Sequence, residues 1–434
     1  MKRGPLISTI VIGGLALASR VSADRVVVPY PSEARLPANA RSLLVDDSTG
    51  ITIMSEPSWR SPIAGKTLPR ALLPALELRN APGCRHPWIR VDADAWICGD
   101  RVDLTSLAPD AHDTSRPASG ELLPWTYVFT IGDRTRAYHS LDAAMTTSDD
   151  PSSFDRWEAN WGMAVIDNVS AGAQRVLRGP NGVYLRRGDV YRATPSEFAG
   201  DSFFALSEGA PGVPFGWVAE APTPVYATPD EERPAVGRAL RLSRVRIHAL
   251  RTGPRGVQYA RIGDDRWVRA DHLRWITPEP PPVDVNVGAR ERWIDVDLGS
   301  QTLIAYEGAE PTYATMVSTG GRYPTQPGTF RIWGKFLAHT MDNTESASLA
   351  SHFRLGDVPY VQFFDHDRGF HAVYWHDGFG VPRSHGCVNL APRDADYLFH
   401  FTAHPLPSGW LSRNIPAGRG TLVRIRGRYA GPVE

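Results

Sequence analysis

Chain-breaking residues do more than any other feature to limit what this sequence can fold into. Thirty-seven prolines and 39 glycines are spread through 434 residues. Proline removes a backbone donor and glycine adds conformational freedom, so both interrupt long helices and favour turns. With 13 tryptophans among the breakers, the expected architecture is short strands joined by many turns. The fold class is therefore mainly β, and a chain of this length is expected to be multidomain.

Charge excludes some functions. Lys+Arg and Asp+Glu stand at 47 each, so no basic field points to nucleic acid or to an anionic membrane surface. Residues 1–23 read as a secretory leader: Lys2 and Arg3, an apolar run from Leu6 to Ala18, then the small-residue site Val21-Ser22-Ala23. That run is too short to span a bilayer, and nothing after it is long and apolar enough to do so. The mature chain is expected to start at Asp24, exported to the periplasm or the cell wall. In such an oxidising compartment Cys84 and Cys98 are expected to close a small disulfide loop. Cys387 is then the odd thiol, reactive or paired with another molecule. A buried spectator is the alternative, and it suits a cysteine with apolar neighbours better than one preceded by Ser384-His385-Gly386.

Composition shifts mark the expected boundaries. Pro278-Glu279-Pro280-Pro281-Pro282 reads as a stiff spacer, giving a linker over 277–284. Further breaks fall at 110–120 and 210–214. They separate a small β-barrel-like module over 38–108, an α+β segment over 121–210, a second small module over 215–276 and a C-terminal unit over 285–428. The two modules hold short β-branched or aromatic runs split by turns, and they resemble bacterial Src-homology-3-like barrels, which often bind cell-wall peptides. Spacer barrels without a ligand fit equally well. In 121–210, Leu141–Met145 is expected to form a helical turn. Trp157 and Trp161 stand at helical spacing, a pair more often found in a core than on a ligand platform.

The C-terminal unit carries the chemistry. Alternation predicts a half-buried strand from Trp293 to Leu298, with apolar and acidic side chains on opposite faces after Ile294. Gly299-Ser300 predicts a turn into a strand over 302–306. Further strands are expected over 313–319, 358–364, 369–375 and 422–425, with a helix over 394–399. Ser384-His385-Gly386-Cys387-Val388-Asn389 places a thiol among groups that can make it a nucleophile: an imidazole to take its proton and a glycine to admit backbone N–H groups. On a regular strand His371 and His376 point to opposite faces, so only one can serve Cys387. His371 is the expected base, His376 a structural or substrate-side group, and His385 a donor to the thiolate or the oxyanion hole. His352 and His366 are expected to be structural. That face argument, with no second cysteine nearby, also disfavours zinc at His371, His376, His385 and Cys387. No metal and no cofactor are expected.

His371-x15-Cys387 within this block resembles the signature of the L,D-transpeptidases, with their YkuD-type, β-sandwich-like catalytic domain. Pro324-Thr325-x-Pro-Gly-x-Phe330, Tyr374-Trp375-His376 with Phe379-Gly380, and the helix beginning Asp394-Ala395 match too. The resemblance covers about 285–428. It implies Cys387 as acyl-accepting nucleophile and His371 as general base. Ser384, His385, Gly386 and Asn389 would form the shell of the motif. Tyr374, Trp375 and His376 would stand on the substrate side, with Tyr360 helping Tyr374 and Trp375 to exclude water. The residue after the histidine is Ala372, so the third member of the triad would be a backbone carbonyl. Backbone N–H groups of Gly386 and Cys387 would hold the oxyanion. The reaction implied releases D-alanine from a peptidoglycan stem tetrapeptide and passes the acyl group to an amine, giving a 3→3 crosslink between donor and acceptor stem peptides. A carboxypeptidase or endopeptidase on the same fold shares these residues, and a wall-binding scaffold is the non-enzymatic alternative. An NlpC-type peptidase has cysteine before histidine, the reverse of the order here.

Overall fold

The computed structural model describes residues 8–9, 27–31, 34–47, 49–110, 113, 115–171, 174–180, 182–203, 215–345 and 352–429. The expected leader, Ser8 and Thr9 apart, and the expected break at 210–214 lie outside these residues. Helix is scarce and strands are short and many, so the chain is mainly β. Among the described residues no helix is long and apolar enough to cross a membrane. The chain divides into two compact units, and neither is one continuous stretch.

The first unit comprises 1–194, 334–361 and 405–415. In its main sheet Ile63–Thr67 pairs with Trp410–Asn414, which pairs with Gly334–Asp342. Gly162–Val165 meets residue Leu355 in parallel. Strands from the C-terminal third of the sequence therefore complete a sheet begun before residue 100. Cys84 and Cys98 are disulfide-bonded beside the fully buried Trp88. Leu141–Thr146 is helical, and Ser140 Oγ accepts from Ala143 N–H at its start, satisfying one of the donors a helix N-terminus leaves over. Trp157 and Trp161 do lie in a core, their rings 5.9 Å apart. They are not on a helix: Trp157 ends the strand Phe154–Trp157 and Asn160, at φ 63°, turns the chain.

The second unit comprises 195–333, 362–404 and 416–434. Its six-stranded sheet runs Asp201–Ser202, Glu310–Met316, Thr302–Glu307, Arg292–Asp297, Leu422–Arg426, Gly328–Arg331. One apolar cluster on this sheet contains Trp293, stacked on Tyr306 at 4.3 Å, together with Met316, Phe379 and Leu422. Phe215, Trp217 and Ile276 belong to the same cluster. The eight short strands between Phe215 and Trp275 thus do more than enclose their own core of Val218, Val225, Ile247 and Val268.

The acidic face of the first strand differs from the expectation. Asp295 is 1% exposed, not solvated. The parallel register places Arg424 opposite it, and Arg424 Nε and Arg426 Nε donate to its two oxygens at 2.6 and 2.8 Å. The same arginines hold the proline-rich segment: Arg424 donates to Pro280 O at 2.8 Å and Arg426 to Thr277 O at 3.0 Å. Glu279 N–H donates to Tyr306 Oη at 2.9 Å. Residues 277–280 are therefore bonded to the sheet and do not form a detached spacer.

Candidate active site

Of two short parallel strands, one carries the histidine and the other begins directly after the cysteine. Arg368–Ala372 and Val388–Leu390 pair with Phe370 opposite Val388 and His371 opposite Asn389. In this register His371 stands opposite Asn389, two residues after Cys387, and the pairing continued one step back sets Cys387 beside Gly369, whose N–H points at the thiol. The helix Pro392–Phe401 follows at once, and its Asp394 is buried, accepting from Tyr313 Oη, Thr315 Oγ1 and Gly200 N–H. The cysteine thus precedes a strand fixed at its far end by a buried carboxylate.

Cys387 is a free, half-buried thiol. Its sulfur lies 3.8 Å from the carbonyl oxygen of Asp367, to which S–H donates, and Gly369 N–H points at it. Burial pushes the thiol up to about 11, against the smaller opposing effect of that N–H. The imidazole of His371 is 3% exposed, with Nδ1 3.0 Å from the carbonyl oxygen of Ala372. A carbonyl only accepts, so Nδ1 carries the proton and Nε2 the lone pair. The ring lies on Trp375 at 5.8 Å. The Ala372 carbonyl thus defines the base tautomer.

The strand of His371 ends at Ala372, short of the expected Trp375, and the chain turns through 373–380. His376 is thereby brought round to Asn389. Its Nδ1 accepts from Gly378 N–H at 3.1 Å, and its Nε2 meets the side-chain amide of Asn389 at 3.0 Å. The facing amide atom is Nδ2; since a neutral imidazole that accepts at Nδ1 holds its proton at Nε2, the amide turned end for end, with its oxygen at Nε2, is the orientation that bonds. Burial, then the positive Arg383, lowers His376 to about 4. His376 and Asn389 are a neutral pair that fixes the chain behind the nucleophile.

The turn that presents Cys387 is anchored along its length. Gly380 N–H donates to Val317 O at 2.9 Å, Ser318 Oγ to Val381 O at 2.7 Å, and Ser384 N–H to Thr319 O at 3.0 Å. Thr325, from the Pro-Thr-x-Pro turn, accepts from Gly320 N–H and donates to Gly386 O, both at 2.9 Å. Gln301 holds Thr319 through both ends of its amide. Ser384 Oγ donates to Cys387 O and accepts from Gly386 N–H at 3.1 Å. Of the two oxyanion donors expected, Gly386 N–H is thus engaged within the turn. Gly386 has φ 121°, which disfavours any side chain.

The other expected residues take different places. His385 is exposed and stacks on Tyr323 at 5.6 Å. Tyr374 is buried and meets the half-buried Trp375 edge-on. Tyr360 belongs to the first unit, where its hydroxyl donates to Ser115 O at 2.9 Å. His366 is exposed beside Asp365, and His352 faces Glu158 at 3.5 Å.

Sequence reasoning missed two arginines from the 215–276 segment. Arg274, 8% exposed, donates from Nε to Gly380 O at 2.6 Å and from Nη1 to Asp271 O and Leu273 O. Arg241 binds both the carboxylate and the carbonyl of Asp377. A side chain on Gly380 would strike Ala219 and Arg274. No motif announces these contacts, because both arginines lie more than 100 positions from the loop they hold.

Residues 291–425 match the YkuD family, described as L,D-transpeptidase catalytic domain. No curated protein matches the chain. An L,D-transpeptidase (Yku) from Stackebrandtia nassauensis is 27% identical over 35% of this chain and 63% of its own, with TM-score 0.24. The catalytic domain of an L,D-transpeptidase from Enterococcus faecium is 23% identical over 32% of this chain and 98% of its own, with TM-score 0.25. An L,D-transpeptidase from Mycobacterium smegmatis is 15% identical over 58% and 91%, with TM-score 0.27. This chain thus spans under two thirds of the Stackebrandtia protein, and at these TM-scores the family match alone carries the assignment.

Proposed function

From the premise that residues 291–425 are a YkuD-type L,D-transpeptidase catalytic domain, we propose that the protein is a peptidoglycan L,D-transpeptidase acting outside the cytoplasm. The observation that supports this reading is the parallel register that sets His371 opposite Asn389, two residues after Cys387, with the Ala372 carbonyl 3.0 Å from His371 Nδ1. The donor is a stem tetrapeptide. His371 Nε2 takes the thiol proton as sulfur attacks the carbonyl of the third residue. Cys387 N–H is the donor assigned to the oxyanion; one such donor is worth about 3 kcal/mol. The C–N bond to the terminal D-alanine breaks, that nitrogen takes the proton from His371, and a thioester remains. An amine of a second stem peptide attacks it, loses a proton to His371 and restores the thiol, leaving a 3→3 crosslink.

Trp375, half-buried on the His371 ring, shields the thioester from water and so favours the amine. The small β segments before the catalytic domain are assigned a wall-facing role, and the leader delivers the chain there. The test is intact-mass spectrometry of the full chain with a disaccharide tetrapeptide, beside Cys387→Ala, with products analysed from the same tubes. A thioester adduct on the wild type alone, released D-alanine and a 3→3 dimer are expected. Tripeptide and D-alanine without dimer would make the enzyme a carboxypeptidase, and retention on sacculi without turnover would make it a scaffold.

A further inference from the structure

A guanidinium stands beside the nucleophile, and nothing in the mechanism above uses it. Arg368 opens the strand that bears His371, three residues before it. A carbon added at Gly386 would lie 3.1 Å from Arg368 Nε and 3.3 Å from its Cδ, so the side chain runs directly over the residue before Cys387. The same turn supplies the Asp367 carbonyl that the thiol faces. Arg368 is 35% exposed, and its Nη1 donates to Asp365 at 2.8 Å. A guanidinium has five N–H donors, so an ion pair through one of them leaves others for a ligand. Two further arginines near the site are committed elsewhere. Arg322 lies over the Tyr323 ring at 5.9 Å, and Arg383 packs where a Gly378 side chain would be, beside His376.

Resting on the transpeptidase reading, we infer that Arg368 is a specificity-determining residue that binds the C-terminal carboxylate of the donor peptide. The scissile carbonyl must sit on Sγ, and the carboxylate of the departing residue follows two bonds beyond the departing nitrogen. A guanidinium lying over Gly386 is placed to pair with it, since planar N–H donors match a carboxylate in two-point contact. Glycine at 386 then has a second reason besides its backbone angle, because a side chain would occupy the position of Arg368. Such a pair would favour a donor that ends in a free carboxylate, since a chain extended past that point presents a neutral amide to the cation.

The test compares two donors on the full chain: a disaccharide tetrapeptide ending in D-alanine, and the same compound ending in D-alaninamide. Release of D-alanine or D-alaninamide gives kcat/KM for the wild type, Arg368→Gln and Arg368→Lys. The wild type is expected to prefer the acid by about 10- to 100-fold, the range of a charge-assisted hydrogen bond. Arg368→Gln is expected to bring the acid-to-amide ratio close to one, chiefly through KM for the acid. Arg368→Lys keeps a charge able to pair with Asp365 and is expected to recover part of the preference. Equal loss on both donors in Arg368→Gln, or an unchanged ratio, would overturn the inference and leave the transpeptidase reading standing. A wild type that turns over neither donor would overturn that reading and this inference with it.

Discussion

Burial pushes the Cys387 thiol up to about 11, which predicts a nucleophile that keeps its proton at rest and no standing thiolate–imidazolium pair. The consequence is measurable, because the thiolate alone is alkylated. In the full chain the rate of Cys387 alkylation by iodoacetamide is expected to climb about tenfold per pH unit from pH 7 to 10, heading for a plateau near 11. A rate already level at pH 7 would show a preformed thiolate and remove His371 from its role as base for a neutral thiol. Cys387 and His371 were legible in the sequence because their chemistry belongs to residue type and short-range order. Arg368 was not: an arginine in a strand of five residues, Arg368–Ala372, reads as solvated surface, and only the parallel pairing lays it over Gly386. The length of the histidine's strand was not legible either. The face argument assumed a strand to 376, whereas the chain leaves the strand after Ala372 and returns His376 to Asn389.

Alternation carried much at the level of elements. Arg292–Asp297, Thr302–Glu307 and Leu422–Arg426 follow the expected strands closely, and Pro392–Phe401 extends the expected helix at both ends. What a face is covered by was not legible. Asp295 and Asp297 alternate with apolar residues as a solvated face would, yet Asp295 is buried beneath Arg424 and Arg426, about 130 positions away. A buried charge is tolerated only while paired, and removing one partner strands the others. Asp295→Ala is therefore expected to destabilise the second unit by roughly 3–5 kcal/mol, read as a lower urea midpoint. Asp297→Ala is the control, since Asp297 is more exposed, pairs with one arginine, Arg426, at 2.9 Å, and otherwise accepts from the backbone N–H groups of Gly299 and Ser300. If the two substitutions cost the same, the buried cluster is not what holds the proline-rich segment and its sheet together.

Composition shifts divided the whole molecule into consecutive segments, while the fold assembles it from interrupted ones. A proline run reads as a spacer when its carbonyls have no visible partners, and the partners of Thr277 and Pro280 are arginines near the C-terminus. Likewise, no local signal shows that Gly334–Asp342 and Trp410–Asn414 complete a sheet with Ile63–Thr67. The segment 285–428, which the sequence presents as a self-contained catalytic domain, is then incomplete in two respects. It lacks Phe215, Trp217 and Ile276, which are 8%, 1% and 4% exposed in the cluster that contains Trp293 and Phe379. Burial of each such side chain is worth about 1.5–3 kcal/mol, so their joint loss rivals the net stability of an ordinary domain, roughly 5–15 kcal/mol. It also leaves Trp410–Asn414 without Ile63–Thr67, an unpaired edge of the kind that invites aggregation. Expressed alone, 285–428 is expected to show no slowly exchanging amides in Arg292–Asp297 and Leu422–Arg426, while the full chain protects both. Full-chain protection in the fragment would mean that the catalytic domain supplies its own core and that the 215–276 segment is an appendage after all.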